Sequence, residues 1–546
     1  MILALSGFWL VIVAIIAFVF ILGLIIVIHE GGHFIFARRA GILCHEFSIG
    51  MGPVLYKKKF TETTFCIRAI PIGGFVSMAG EEVSSELIKV GDEIGLNINN
   101  DDKVTEIVCN DKIEAKIRGK VKEVDLYGEN GETLHVVLTL EDGSERYYEV
   151  LRNARYIFNE KQSLQITPYD RSFESKSLLD RFLTIFAGPF MNFVLAIFIY
   201  LIVSFGMGVP NMESNVIGEI TSGYPADTVL QAGDAITSVD GQKVESWEEF
   251  SKVLDSRYEE YDTTLDIEYV RDGKTYNTTL DLYVIINSIG ISNIGVTQDK
   301  LEVSGVRVGN LGLRYKDGTK DSIYDIQKGD ILTKIQVGAE TPIQLTSWSQ
   351  LASILDGVDN NIVTFEYYSV KKGGIVSLSE CRIIEPWNNE TLDNQRIEKI
   401  GFKLGVSPEY HVSFLGCIAQ AGQLFWDDFT LIFRTLQLLI APSIRQVGLG
   451  DLSGPVGIFD MVRSYVNAGF IPLLAFAGLL SVNIGVMNLL PIPALDGGRL
   501  VFLLYELITR KKPSKKVENT INNVFFILLM LLFVYITFND VFRMIG

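Results

Sequence analysis

Residues 8–33 read FWLVIVAIIAFVFILGLIIVIHEGGH, an apolar run of 21 residues, Phe8–Ile28, that passes directly into His29-Glu30-Gly31-Gly32-His33. A helix of that length crosses about 30 Å of hydrocarbon. The run has no basic residues before it, exceeds the apolar core of a secretory signal, and is followed by no small-residue cleavage site, so it reads as a membrane span. Residues four apart on a helix share one face, which lets His29 and His33 present two imidazoles to one Zn²⁺. Glu30 stands beside them, where a carboxylate can take a proton from a metal-activated water. Two histidines meeting local hydrogen bonds are the plainer reading. A carboxylate continuing a lipid-spanning run is costly, however, and marks a functional site, and the motif uses two of only five histidines in the chain.

Leu183–Phe205, Phe470–Leu490 and a shorter run at Val524–Phe538 are three further candidate spans, four in all. Arg38, Arg39 and Lys57–Lys59 follow the first span, Lys176 and Arg181 precede the second, and Arg499, Arg510–Lys512, Lys515 and Lys516 lie between the third and fourth. Basic connections face the cytoplasm, which places both termini outside and makes Met207–Tyr410 extracytoplasmic. That segment holds 32 acidic and 18 basic residues, so −14 of the net charge of −17 lies there. An acidic chain without a basic cluster makes nucleic acid an unsuited partner, and a mean hydropathy of +0.27 excludes a disordered chain. The five cysteines form no CxxC pair and imply no disulfide framework.

A catalytic zinc site usually takes three protein ligands and leaves a position open. The third span ends in Asn488-Leu489-Leu490-Pro491-Ile492-Pro493-Ala494-Leu495-Asp496-Gly497-Gly498. Pro491 and Pro493 stop a regular helix, the glycines permit close backbone approach, and Asp496 is expected on unwound chain near the depth of His29. A carboxylate on unwound backbone in a membrane is tolerated only inside protein or at a polar cavity.

HExxH on the first span, NxxPxPxLDG on the third and an exported segment between the second and third resemble the bacterial site-2 intramembrane zinc proteases. Glu46–Pro53 is similar to the family's segment after the zinc helix, and Arg68–Val76 to its membrane-associated β-hairpin. Phe186–Phe193 is similar to its second-span signature, and Leu452–Gly457 to the stretch before the third span. The resemblance implies a zinc metalloendopeptidase with His29, His33 and Asp496 as zinc ligands and Glu30 as general base. It implies substrate contacts from Asn488 and, less directly, Asn192, Gly73 and Gly74. Its substrates would be single-span membrane proteins already shortened outside, such as anti-sigma factors or signal-peptide remnants. The rival readings are a membrane HExxH quality-control protease of another type and a non-catalytic membrane adaptor.

The expected fold is a polytopic α-helical membrane protein carrying exported α+β domains and a cytoplasmic β-rich insertion. Residues 1–80 hold the first span and the hairpin, expected at Arg68–Met78, and 82–168 the insertion, a feature of Firmicutes relatives. The second span occupies 180–206. Ala232-Gly233-Asp234 leading to Trp247, and Lys328-Gly329-Asp330 leading to Trp348, form a repeat that resembles the later half of a PDZ domain. It divides the exported part into 207–300 and 301–410, each expected to take peptide tails by strand addition. Residues 411–445 are expected as an amphipathic helix on the outer membrane face, and 446–546 as the last two spans, with a short interfacial helix at Leu500–Ile508. The bilayer itself, here the plasma membrane, is the remaining partner.

Overall fold

The computed structural model describes residues 7–80, 87–129, 131–159, 162–257, 263–286, 291–293, 300–306, 313–315, 326–356, 358, 362–377, 381–383, 400–440 and 453–545. The expected start of the insertion at Glu82 and the end of the amphipathic helix at 445 lie outside the described residues. The α-helices among them are α1 (Gly7–Arg39), α2 (Leu178–Met207), α3 (Trp247–Arg257), α4 (Trp348–Asp356), α5 (Phe414–Ile440), α6 (Pro455–Ala468), α7 (Phe470–Leu489), α8 (Asp496–Thr509) and α9 (Lys515–Ile545). Four of these, α1, α2, α7 and Lys515–Phe542 of α9, are long and apolar enough to cross a membrane. The chain forms two compact units, one of residues 1–203, 421–433 and 453–546, the other of 204–420 and 434–452.

In the first unit, Ile21 and Ile25 of α1, Ile199 and Val203 of α2, Val462 of α6 and Phe476, Ala477 and Leu480 of α7 form one buried cluster. Small residues let these helices approach closely. A Cβ at Gly32 would overlap the main chain of Ala187, and one at Gly188 would overlap the His33 ring, so the crossing of α1 and α2 needs both glycines.

Strands β1 (Cys44–Lys59) and β2 (Thr64–Met78) follow α1. Arg68–Met78 is therefore one arm of a longer hairpin rather than a hairpin in itself. The reason is a bend in β1 at Gly50 and Gly52 (φ 84° and 81°), which folds its two halves onto β2 separately. Ser48 lies between Phe75 and Cys66, whereas Tyr56 pairs with Ile67 and Lys59 with Thr64. Gly74–Met78 thus has a strand on one side only, and no strand pairs with its other edge among the described residues.

The insertion is a six-stranded sheet of β3 (Glu93–Ile98), β4 (Val104–Val108), β5 (Ile117–Asp125), β6 (His135–Thr139), β7 (Glu145–Asn159) and β8 (Gln162–Gln165), in the order β4-β3-β5-β6-β7-β8 with a further β4–β7 pairing. Leu96, Ile107, Val136, Leu138 and Ile166 fill its core. Its exit is tied back to the hairpin by Leu43 N–H to Arg171 O (2.9 Å), Phe173 N–H to Ala79 O (2.7 Å) and the Arg171–Glu62 ion pair.

The second unit holds the repeat. Asp234 is buried and accepts from Arg271 (2.7 and 2.6 Å) and from Gln231 N–H (2.7 Å). Asp330, fully buried, accepts from Gln327 N–H and Val370 N–H, both 2.8 Å. In each copy the Gly-Asp turn leads into a strand, Ala235–Val239 or Ile331–Val337, and then into a short helix opened by a buried tryptophan, α3 or α4. The alternation of the strands and the apolar face of each helix feed one core that includes Trp247, Phe250, Trp348, Phe365 and Tyr367.

Candidate metal centre

The apolar helix α1 carries His29 and His33 on the face that meets α2 and the start of α8, and both are buried. Thr184 on α2 presents its carbonyl to His33 Nδ1 at 2.8 Å. A carbonyl can only accept, so Nδ1 carries the proton and Nε2 keeps its lone pair. Asn192, fully buried on α2, places its carboxamide 3.3 Å from His29 Nδ1, and its Oδ1 otherwise finds no partner. Turning the amide by half a revolution lets Oδ1 accept from Nδ1–H, which satisfies both groups and frees His29 Nε2 in the same way.

Asp496 is not on unwound chain. The prolines do break the helix over Leu490–Leu495, but Asp496 is the first residue of α8. Gly497 and Gly498, expected to permit close backbone approach, lie in the first turn of α8, pressed so closely on the Leu489–Pro493 main chain that a Cβ at either would overlap it. A carboxylate there also benefits from the positive end of the helix. Ala494 sits in the left-handed region (φ 73°), and its N–H is accepted by Asn522 Oδ1 of α9 at 3.2 Å.

These elements bring His29 Nε2, His33 Nε2 and Asp496 Oδ2 to 3.2 Å from one another. Asp496 Oδ2 is buried without a hydrogen-bond donor among the described residues, so three lone pairs converge on one point. Tetrahedral zinc with ligand bonds of about 2.0–2.2 Å separates its ligand atoms by about 3.3–3.5 Å, so the donor set and its spacing fit the ion.

The triad opens into a cavity of about 640 Å³ lined also by Glu30, Gly74–Met78, Asn488, Arg499, Asn519, Asn522 and Asn523. Glu30 lies against the strand: a Cβ at Gly74 would fall 2.9 Å from Glu30 Cγ and 2.8 Å from Ser48 O. Of the residues expected to contact substrate, Asn488 and Gly74 line this cavity. Gly73 (φ 74°) bends β2 just before Gly74, and Asn192 meets His29 instead. Arg499, one turn after Asp496 and electrostatically coupled to Glu518 and Glu30, stands in the sequence only as a basic topology signal, and the asparagines of α9 carry no role there. The latter precede the apolar run that starts at Val524; Asn at 519, 522 and 523 is the helical spacing that marks them.

The model of peptidase family M50 matches residues 17–532. The zinc metalloprotease RasP of Shouchella clausii is 33% identical over 529 residues, covering 96% of this chain and 98% of that one. RasP of Oceanobacillus iheyensis is 30% identical over 533 residues, covering 97% and 99%. Among solved structures, the PDZ domain of an SdrC-like protein from Listeria monocytogenes is 29% identical and covers 16% of this chain and 86% of its own, with a TM-score of 0.13. Convergent zinc-type donors beside a membrane-helix glutamate, and matches running nearly end to end, leave no room for an adaptor or an unrelated HExxH enzyme: the chain belongs to peptidase family M50, the site-2 proteases, and is an intramembrane zinc metalloendopeptidase.

Proposed function

We propose that this protease cuts single-span membrane proteins within or near their transmembrane segments, after an earlier cut has shortened their outer part. The observation that carries this is the strand edge Gly74–Met78, unpaired among the described residues, lining the same cavity as His29, Glu30, His33 and Asp496. A substrate helix hides its carbonyls in its own hydrogen bonds and must be extended before cleavage; an open strand edge offers main-chain partners for the extended form. His29, His33 and Asp496 hold the zinc. Zinc bound there supplies Lewis acidity to the scissile carbonyl and the attacking water. Glu30 takes the water's proton and delivers it to the leaving amine. Asn488 and Gly74 hold substrate, while Asn192 keeps His29 in the ligating tautomer. Anti-sigma factors and signal-peptide remnants suit this chemistry. The active site lies near the cytoplasmic side, with both termini and the repeat-bearing segment outside, where its PDZ-like copies bind peptide tails and filter substrates by size.

The test is cleavage of a tagged single-span substrate with a shortened outer tail, in membranes, by wild type and Glu30→Gln, with zinc measured on both. Cleavage by wild type alone, with zinc retained in the variant, supports the reading. Equal cleavage by both removes Glu30 from the chemistry.

A further inference from the structure

The strand edge accounts for only half of an extended peptide. Every strand has two hydrogen-bonding edges, and in a membrane interior each unpaired N–H or C=O is costly. A peptide added to Gly74–Met78 therefore leaves a second row of main-chain groups to be met.

We propose that Asn519 and Asn523 of α9 bind this outer edge of the extended substrate main chain, an inference that rests on the strand-addition reading above. Both line the cavity that holds the strand edge and the metal centre. Neither carboxamide has a hydrogen-bond partner among the described residues, whereas Asn522 beside them is engaged by Ala494 N–H. A carboxamide offers a donor and an acceptor together, the pair that one outward-facing residue of a strand presents. The spacing also agrees. Asn519 and Asn523 are four residues apart, about 6 Å along a helix axis, and main-chain pairs on one edge of a strand recur every two residues, about 6.7 Å. The two asparagines sit at the start of the fourth span, directly before Val524-Phe525-Phe526-Ile527-Leu528-Leu529, where polar side chains without partners are otherwise a burden. Recognition of this kind reads main chain rather than side chains. It allows one protease to accept spans of unrelated sequence provided they unwind.

The experiment uses the full chain and synthetic single-span substrates, comparing wild type with Asn519→Leu, Asn523→Leu and the alanine variants. Leucine and alanine both suit an apolar helix, and zinc content and melting temperature verify each variant. The expected result is a KM raised about three- to tenfold per variant, with zinc unchanged and the same factor for substrates differing in side chains around the cut. A substrate in which one outward-facing amide is replaced by an ester should lose affinity for wild type. It should lose little more for the asparagine variant that faces it. Unchanged KM, or ester and asparagine effects that simply multiply at every position, overturns the proposal. If wild type and Glu30→Gln cleave alike, the protease reading has failed; if cleavage depends on Glu30 but not on either asparagine, only this inference has.

Discussion

Replacing Asn192 by leucine removes the side chain that meets His29 Nδ1 while leaving the cavity lining intact. Asn192 is fully buried, its carboxamide lies 3.3 Å from His29 Nδ1, and it does not line the substrate cavity. Without an acceptor at that point, the buried His29 N–H is orphaned and the ring can turn its lone pair away from Asp496. Loss of such an outer partner of a metal-bound histidine costs about 10- to 100-fold in metal affinity, or about 1.4–2.7 kcal/mol. The same range follows from losing one hydrogen bond to a partly charged group, about 1.5–3 kcal/mol. Asn192→Asp keeps an acceptor and should bind zinc within about threefold of wild type. The assay is zinc competition against a chelator of known affinity on the purified full chain, followed by cleavage at saturating zinc, where Asn192→Leu should recover most of its activity. Wild-type zinc affinity in Asn192→Leu would refute the reasoning, as would an equal loss in Asn192→Asp, since that variant can still accept from Nδ1–H.

Three more outcomes are expected. Gly188→Ala drives a methyl group into the buried His33 ring; zinc content should fall about tenfold or more, measured by metal analysis after dialysis. Arg181 and Glu506 form a buried two-point ion pair (3.0 and 2.6 Å) between α2 and α8; Arg181→Met alone should destabilise by about 3–5 kcal/mol and the Arg181→Met/Glu506→Leu double variant by much less, read as detergent-solubilised melting curves. Burial, with Arg171 nearby, lowers His45 to about 4. The unfolded chain then binds the extra proton between that value and about 6.5, so this contribution to stability is complete above pH 6.5 and declines as pH falls to 4. Acidifying from pH 7 to 5.5 should cost about 1 kcal/mol through this residue, and His45→Gln should flatten that part of the pH–stability curve.

The residues of the proposed metal triad were legible because each has a local signature. His29 and His33 follow from a four-residue spacing on a helix that 21 apolar residues impose, and Asp496 from a proline-broken helix end. The spans were equally plain, since lipid leaves a helix no alternative to internal hydrogen bonding. The bend in β1 was not legible: Gly50 and Gly52 are ordinary turn residues until Ser48 is seen between two arms of β2. Nor was the role of Gly188, which depends on what crosses it.

What the chain determined by itself is the set of chemical groups and the elements that bear them, because periodicity, hydropathy and helix-stop residues act over a few positions. What only the tertiary structure decided is which groups meet. His29 and Asn192 are 163 residues apart and Ala494 and Asn522 are 28 apart, and no short-range rule relates such pairs. Close helix crossings at glycine bring the first pair into contact, and the loop before α8, pinned to α9, the second. The convergence of three lone pairs on one point is a property of that packing rather than of any segment.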